Sequence, residues 1–140
     1  MEDAIRKAIY KAVESEPLAR TLQMKLKALE KGHSVVEMKY ISEIMDNIYS
    51  RMHGGAIFAL IDEAFETVGQ TDGTIAVALN VNVSYITSPD NDSILTAEAK
   101  EISRTRKTAM YDIKVTDNEN RLIASCNALA YRTGKPIPFL

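Results

Sequence analysis

The chain has 140 residues, a single-domain length with room for a substantial core. Its 17 basic and 19 acidic residues leave a formal charge of −2, and no basic run exceeds Arg104-Thr105-Arg106-Lys107, which argues against nucleic acid as a partner. One cysteine precludes an internal disulfide, no apolar stretch nears the ~20 residues of a membrane span, and Met1-Glu2-Asp3 is unlike a signal peptide, so a soluble cytoplasmic protein is expected.

Residues 3–14 set Ala4, Ile5, Ala8, Ile9, Ala12 and Val13 at helical spacing against Arg6, Lys7, Lys11 and Glu14. This predicts an N-terminal amphipathic helix within residues 1–16, lying over other structure. Pro17 suits the first turn of a short second helix. Met24, Leu26 and Ala28 then alternate with Lys25, Lys27 and Leu29 before Gly32, a hairpin follows, and its return strand is expected over 35–44. An irregular stretch, 45–52, delivers the chain to His53-Gly54-Gly55.

From 56 to 68 the sequence is apolar almost all round, which predicts a helix sheathed by other structure. A carboxylate inside such a helix is costly unless used or paired, so Asp62 stands out. Thr71-Asp72-Gly73 makes a turn into a strand over 75–85, whose core face is expected to carry Ile75, Val77, Leu79, Val81, Val83 and Tyr85. A Pro/Asp/Asn turn over 87–92 precedes a strand over 94–102, and further strands over 109–116 and 122–131 are joined by a turn at 117–120. Cys126 falls in the last of these and is expected to be buried and inert. About six hairpin strands and one apolar helix predict an α+β fold, one domain over 1–140, whose antiparallel sheet wraps the helix.

Two glycines opening a helix let a ligand approach bare N–H groups at the positive end of the helix dipole, the chemistry of an oxyanion site. A tight turn at a helix start, with Asp62 capping a neighbouring loop or meeting a lysine, accounts for the same residues. The only imidazoles are His33 and His53 and no Cys/His cluster exists, so no zinc or other metal site is expected.

The order of elements, with Asn47, His53-Gly54-Gly55 and Asp62 at their mutual spacing, resembles the hotdog superfamily and within it the PaaI-like acyl-CoA thioesterases. The resemblance covers roughly 17–133. It departs at Ser50, where many relatives carry glycine, and at Ala78, where some place a serine that helps hold the attacking water. What the resemblance implies is that Asp62 activates a water, or attacks directly, at a thioester carbonyl while the Gly54 N–H holds the oxyanion. Asn47 is then expected to orient substrate or water, His53 to brace the helix start, and Gly55, Phe58 and Ala78 to lie against substrate. No cofactor is expected, the coenzyme A moiety being part of the substrate. A thiolate with a pKa near 8.5 leaves with little help, so no dedicated acid is required.

Glu63 is the rival carboxylate, but it sits about 100° round the helix from Asp62, so the two cannot share one site. Gly54 and Asp62 are separated by about 12 Å along one helix, beyond the ~3 Å reach of a base and an oxyanion donor acting on one carbonyl. Each site is therefore expected to combine Gly54 and Asn47 of one subunit with Asp62 of another, in a dimer at least, and many hotdog relatives form tetramers. Arg104, Arg106 and Lys107 are candidates for gripping the coenzyme A phosphates, against the reading of a solvated charge cluster. Phe58, Ile61 and Phe65 are either acyl-pocket lining or plain core. Two rivals remain: a hotdog hydratase or dehydratase, which usually requires a histidine partner for its carboxylate, and a non-catalytic acyl-CoA sensor.

Overall fold

A computed structural model describes residues 1–140. Helix α1 (Asp3–Ser15) buries Ile5, Ile9 and Val13, one residue per turn, and packs on the first strand, where the Arg6 guanidinium donates to the Leu29 carbonyl and pairs with Glu30. Helix α2 (Pro17–Thr21) starts on its proline. Strands β1 (Lys25–Glu30) and β2 (His33–Lys39) form a hairpin through Lys31-Gly32. Gly32 adopts φ 70°, and a Cβ there would come within 3.2 Å of Glu101 Cβ, so the turn requires glycine on both counts.

The strand expected over 35–44 is shorter at its far end. β2 stops at Lys39, and Ser42–Met45 forms the single turn α3. Tyr40, whose side chain is buried, donates its hydroxyl to Asp46 and anchors this change of direction. The central helix α4 spans Gly54–Gly69. Strands β3 (Thr74–Tyr85), β4 (Ile94–Arg104), β5 (Thr108–Thr116) and β6 (Leu122–Pro136) complete a six-stranded antiparallel sheet of order β1-β2-β4-β5-β6-β3.

The sheet curves round α4. Leu60, Ile61, Ala64 and Val68 are fully enclosed, and the facing strands present Ala97, Ala99, Ala109, Ala124, Ala128 and Ala130, all buried. Small side chains on the inner face let helix and sheet approach closely, with Val36, Met38, Leu95 and Ile113 filling the remaining space. Cys126 lies on this inner face, buried and unpaired.

Two patterning expectations are corrected. The helix is not sheathed all round: Gly55, Asp62 and Glu66 are exposed along one stripe, and the buried carboxylate is Glu63. Strand β3 does not keep one core face. Its pairing with β6 is interrupted by a bulge between Ala78 and Asn80, so Ala78 and Val81 both oppose inward-facing alanines, Ala130 and Ala128. The extra residue, Leu79, and its neighbour Val77 are left exposed on a strand that forms the sheet edge.

Candidate active site

The start of α4 is held by its own side chains and loop. His53 is the N-cap, and its Nδ1 accepts the Gly55 N–H at 2.9 Å, so this nitrogen is unprotonated. A Cβ on residue 55 would sit 3.1 Å from that Nδ1, which is why the second glycine accompanies the histidine. The N–H groups of Ala56 and Ile57 turn back to the His53 carbonyl. Gly54 alone in this first turn has an N–H without an acceptor in the chain. Gly54 is helical, and a Cβ there would press within 3.3 Å of the Tyr85 ring, whose hydroxyl donates to the Gly54 carbonyl.

The preceding loop is closed by Asn47. Its Oδ1 accepts the N–H groups of Tyr49 and Arg51, at 2.9 and 3.2 Å, and its backbone N–H donates to the Arg51 carbonyl at 2.7 Å. The carbonyl half of Asn47 is thus committed to the loop, and its amide NH₂ has no hydrogen-bond partner in the chain. Ser50 takes φ 57°, the left-handed conformation that glycine adopts without strain. The His53 N–H donates to the Met45 carbonyl at 2.7 Å and fixes the loop to α3. A groove of about 310 Å³ opens here, bounded by Asn47, Arg51, Gly54, Tyr85 and Thr87.

Asp62 opens into a different pocket. It shares a cavity of about 280 Å³ with Phe65, Glu66, Ala76, Ala78 and Ala130. Although Asp62 is solvent-accessible, partial desolvation by the pocket walls raises its pKa above the ordinary carboxylate value. Ala78 and Phe65 therefore stand with Asp62, while Ile61 is core and the half-buried Phe58 lines neither cavity. Glu63 points away from both cavities, toward Glu16.

Strand β3 runs back along α4. Its Ala76–Ala78 end lies beside Asp62, and its Tyr85 end lies beside Gly54. The free Gly54 N–H and the Asp62 carboxylate thus open into two separate cavities of one chain.

The basic trio separates. Arg104 places a guanidinium nitrogen 2.5 Å from Asp72 Oδ2 and grips Glu101 through its Nε and second terminal nitrogen, so its charge is neutralised inside the chain. Arg132 joins the same Asp72 oxygen at 2.7 Å. Lys107 lies 3.2 Å from the Tyr131 hydroxyl and, with Arg106, remains exposed. Asp72, the partner of Arg104, lies far upstream, so the pairing that sets Arg104 apart from Arg106 and Lys107 could not be read from the sequence.

Residues 49–124 match the family model described as the thioesterase superfamily. A putative esterase of Archaeoglobus fulgidus is 31% identical over 99% of this chain and 87% of its own length. The solved structure of the Escherichia coli PaaI protein of the phenylacetic acid degradation operon superposes with a TM-score of 0.90 at 25% identity, covering 95% of this chain and 96% of that one. A Streptococcus mutans protein solved bound to acetyl CoA gives a TM-score of 0.76 at 27% identity, over 81% of this chain and 91% of that one.

Proposed function

The chain belongs to the thioesterase superfamily as a PaaI-like hotdog thioester hydrolase, and on that footing we propose that it hydrolyses acyl-CoA to a free acid and coenzyme A at sites shared between two subunits. The observation that carries this reading is the separation of the unpaired Gly54 N–H from Asp62 into two half-sites at opposite ends of one stretch of α4.

Strand β3 is an open sheet edge of 12 residues. Because β3 runs back along α4, a two-fold axis through the middle of this strand would pair it antiparallel with its copy. The Ala76–Ala78 end of one chain then meets the Tyr85 end of the other, which carries one chain's Asp62 toward the other's Gly54.

In the completed site the acyl carbonyl oxygen accepts the Gly54 N–H at the positive end of α4. Asp62 takes a proton from water as that water attacks the carbonyl carbon, or attacks the carbon itself to give an anhydride that water then opens. Either way the C–S bond breaks and the electron pair leaves on the coenzyme A sulfur as a thiolate. Asn47 directs its free amide NH₂ toward the same groove, and Arg106 and Lys107 are the residues left to meet phosphate.

The S. mutans relative's bound acetyl CoA supports a coenzyme A thioester as substrate. The test is thiol release from a panel of short, long and aromatic acyl-CoAs and acyl carrier proteins. Turnover of acyl-CoA is expected. Tight binding of every acyl-CoA without thiol release would replace this reading with a sensor.

A further inference from the structure

Glu16, Glu63 and Glu66 bring one carboxylate oxygen each to within 4.8 Å of the others. They come from two places: Glu16 is the single residue between α1 and α2, whereas Glu63 and Glu66 are one turn apart on α4. Glu63 is only 3% exposed, and its Oε1 is buried without a hydrogen-bond partner. A buried carboxylate oxygen left unpaired costs free energy that folds rarely carry without compensation. No lysine, arginine or histidine forms an ion pair with any of the three. The groups facing Glu63 are Glu16, Glu66 and Asp62, all acidic, and with burial they push its pKa up. Beside the trio lies a cavity of about 360 Å³ bounded by Glu16, Glu66, Thr67 and Gln70, roomy enough for water.

We propose that Glu16, Glu63 and Glu66 form a binding site for a hard divalent cation that clips the α1–α2 corner to α4. Three carboxylate oxygens and no nitrogen or sulfur select calcium, magnesium or manganese over softer metals. Oxygen ligands at about 2.4 Å from one calcium ion lie at most about 4.8 Å apart, the bound within which these three oxygens fall. The cavity side leaves room for waters to complete the coordination. The ion supplies the missing partner of Glu63 Oε1 and removes the repulsion among the three carboxylates.

The experiment uses the full 140-residue chain, stripped with a chelator and titrated with calcium chloride, following heat of binding and thermal unfolding. One calcium per chain and a rise in Tm of at least about 3 °C at millimolar calcium are expected. Glu63→Gln and Glu16→Gln should abolish both signals, and Glu66→Gln should weaken them. Without calcium, Glu63→Gln relieves repulsion and should melt no lower than the stripped parent. Glu16→Gln, at a less buried position, serves if Glu63→Gln does not fold. Absence of binding by the parent would overturn the site and leave a pair of carboxyls sharing a proton. Undiminished binding by both variants would place the ion elsewhere and overturn it equally.

Discussion

Gly54 and Asp62 both stand on α4 yet open to different cavities: the Gly54 N–H to the groove under Tyr85, and Asp62 to the alanine-lined pocket beside Phe65. A hydrolase that needs both groups at one carbonyl must bring them from two chains.

Asp62→Asn removes the proposed base and keeps the shape. We expect a fold unchanged by circular dichroism and a kcat lower by about 10²- to 10⁴-fold. Glu63→Gln, whose carboxyl faces Glu16, should retain far more of the turnover. Steady-state thiol release on the two variants checks the assignment, and the reverse order of damage would remove Asp62 from the mechanism.

Sharing of sites predicts complementation. Gly54→Pro deletes the N–H at a helical first-turn position where proline is at home, although its Cβ must displace the Tyr85 ring slightly. Mixed with Asp62→Asn by unfolding and refolding, each nearly inactive variant should regain activity up to about one quarter of parental sites, since each heterodimer has one intact site and one doubly defective. Labelled heterodimers that form and stay inactive would place both groups within one chain.

The capping role of His53 can be separated from proton transfer. His53→Ala should cost about 0.5–2 kcal/mol in denaturant unfolding, and Gly55→Ala, which crowds Nδ1, should cost a similar amount. His53→Asn restores a capping oxygen. It should recover stability and hold kcat within about tenfold, whereas losing a general base costs about 10²- to 10⁴-fold.

The cationic surface divides by role. Arg106→Ala with Lys107→Ala should raise KM for acyl-CoA about two- to tenfold at low salt, less at high salt, and leave acyl-pantetheine turnover unchanged. Equal impairment on both substrates would deny these residues a phosphate-binding role.

Asp72 gathers two arginines, Arg104 and Arg132, on one carboxylate oxygen. Burial alone would raise its pKa, but hydrogen bonds from Thr74, Arg132 and Arg104 outweigh that and hold it well below the ordinary carboxylate range. A carboxyl depressed by folding stabilises the native state above its unfolded pKa near 3.9, and that contribution is lost as pH falls through the folded value. Asp72→Asn should therefore lower stability by about 1–3 kcal/mol at pH 7, and the gap between parent and variant should narrow toward pH 3. A gap independent of pH would mean that the ion pairs carry no weight.

The legible parts of this protein were local. His53-Gly54-Gly55 lies within one turn of chain, so the cap, the bare N–H and the helix start could be read from neighbours, and hydrophobic period was enough for α1 and most strands. Period could not reveal which stripe of an apolar helix its own sheet leaves open, so Asp62 was expected inside and Glu63 was not. A bulge adds one residue without breaking the alternation of β3, which hid the switch of face at Leu79. Arg104 with Asp72, and Glu16 with Glu63, are partnerships made only when distant segments fold together.

The alanine lining of the sheet's inner face has a consequence for how such an enzyme can change. Ala130 belongs both to the packing beneath α4 and to the wall of the Asp62 pocket. A larger residue there would narrow the Asp62 pocket and press on the helix with one stroke, moving Asp62 and Gly54 together. If Asp62 is the base proposed above, any change of pocket size at this floor also moves the reacting groups, whereas residues on the exposed lip can change the pocket without shifting the helix.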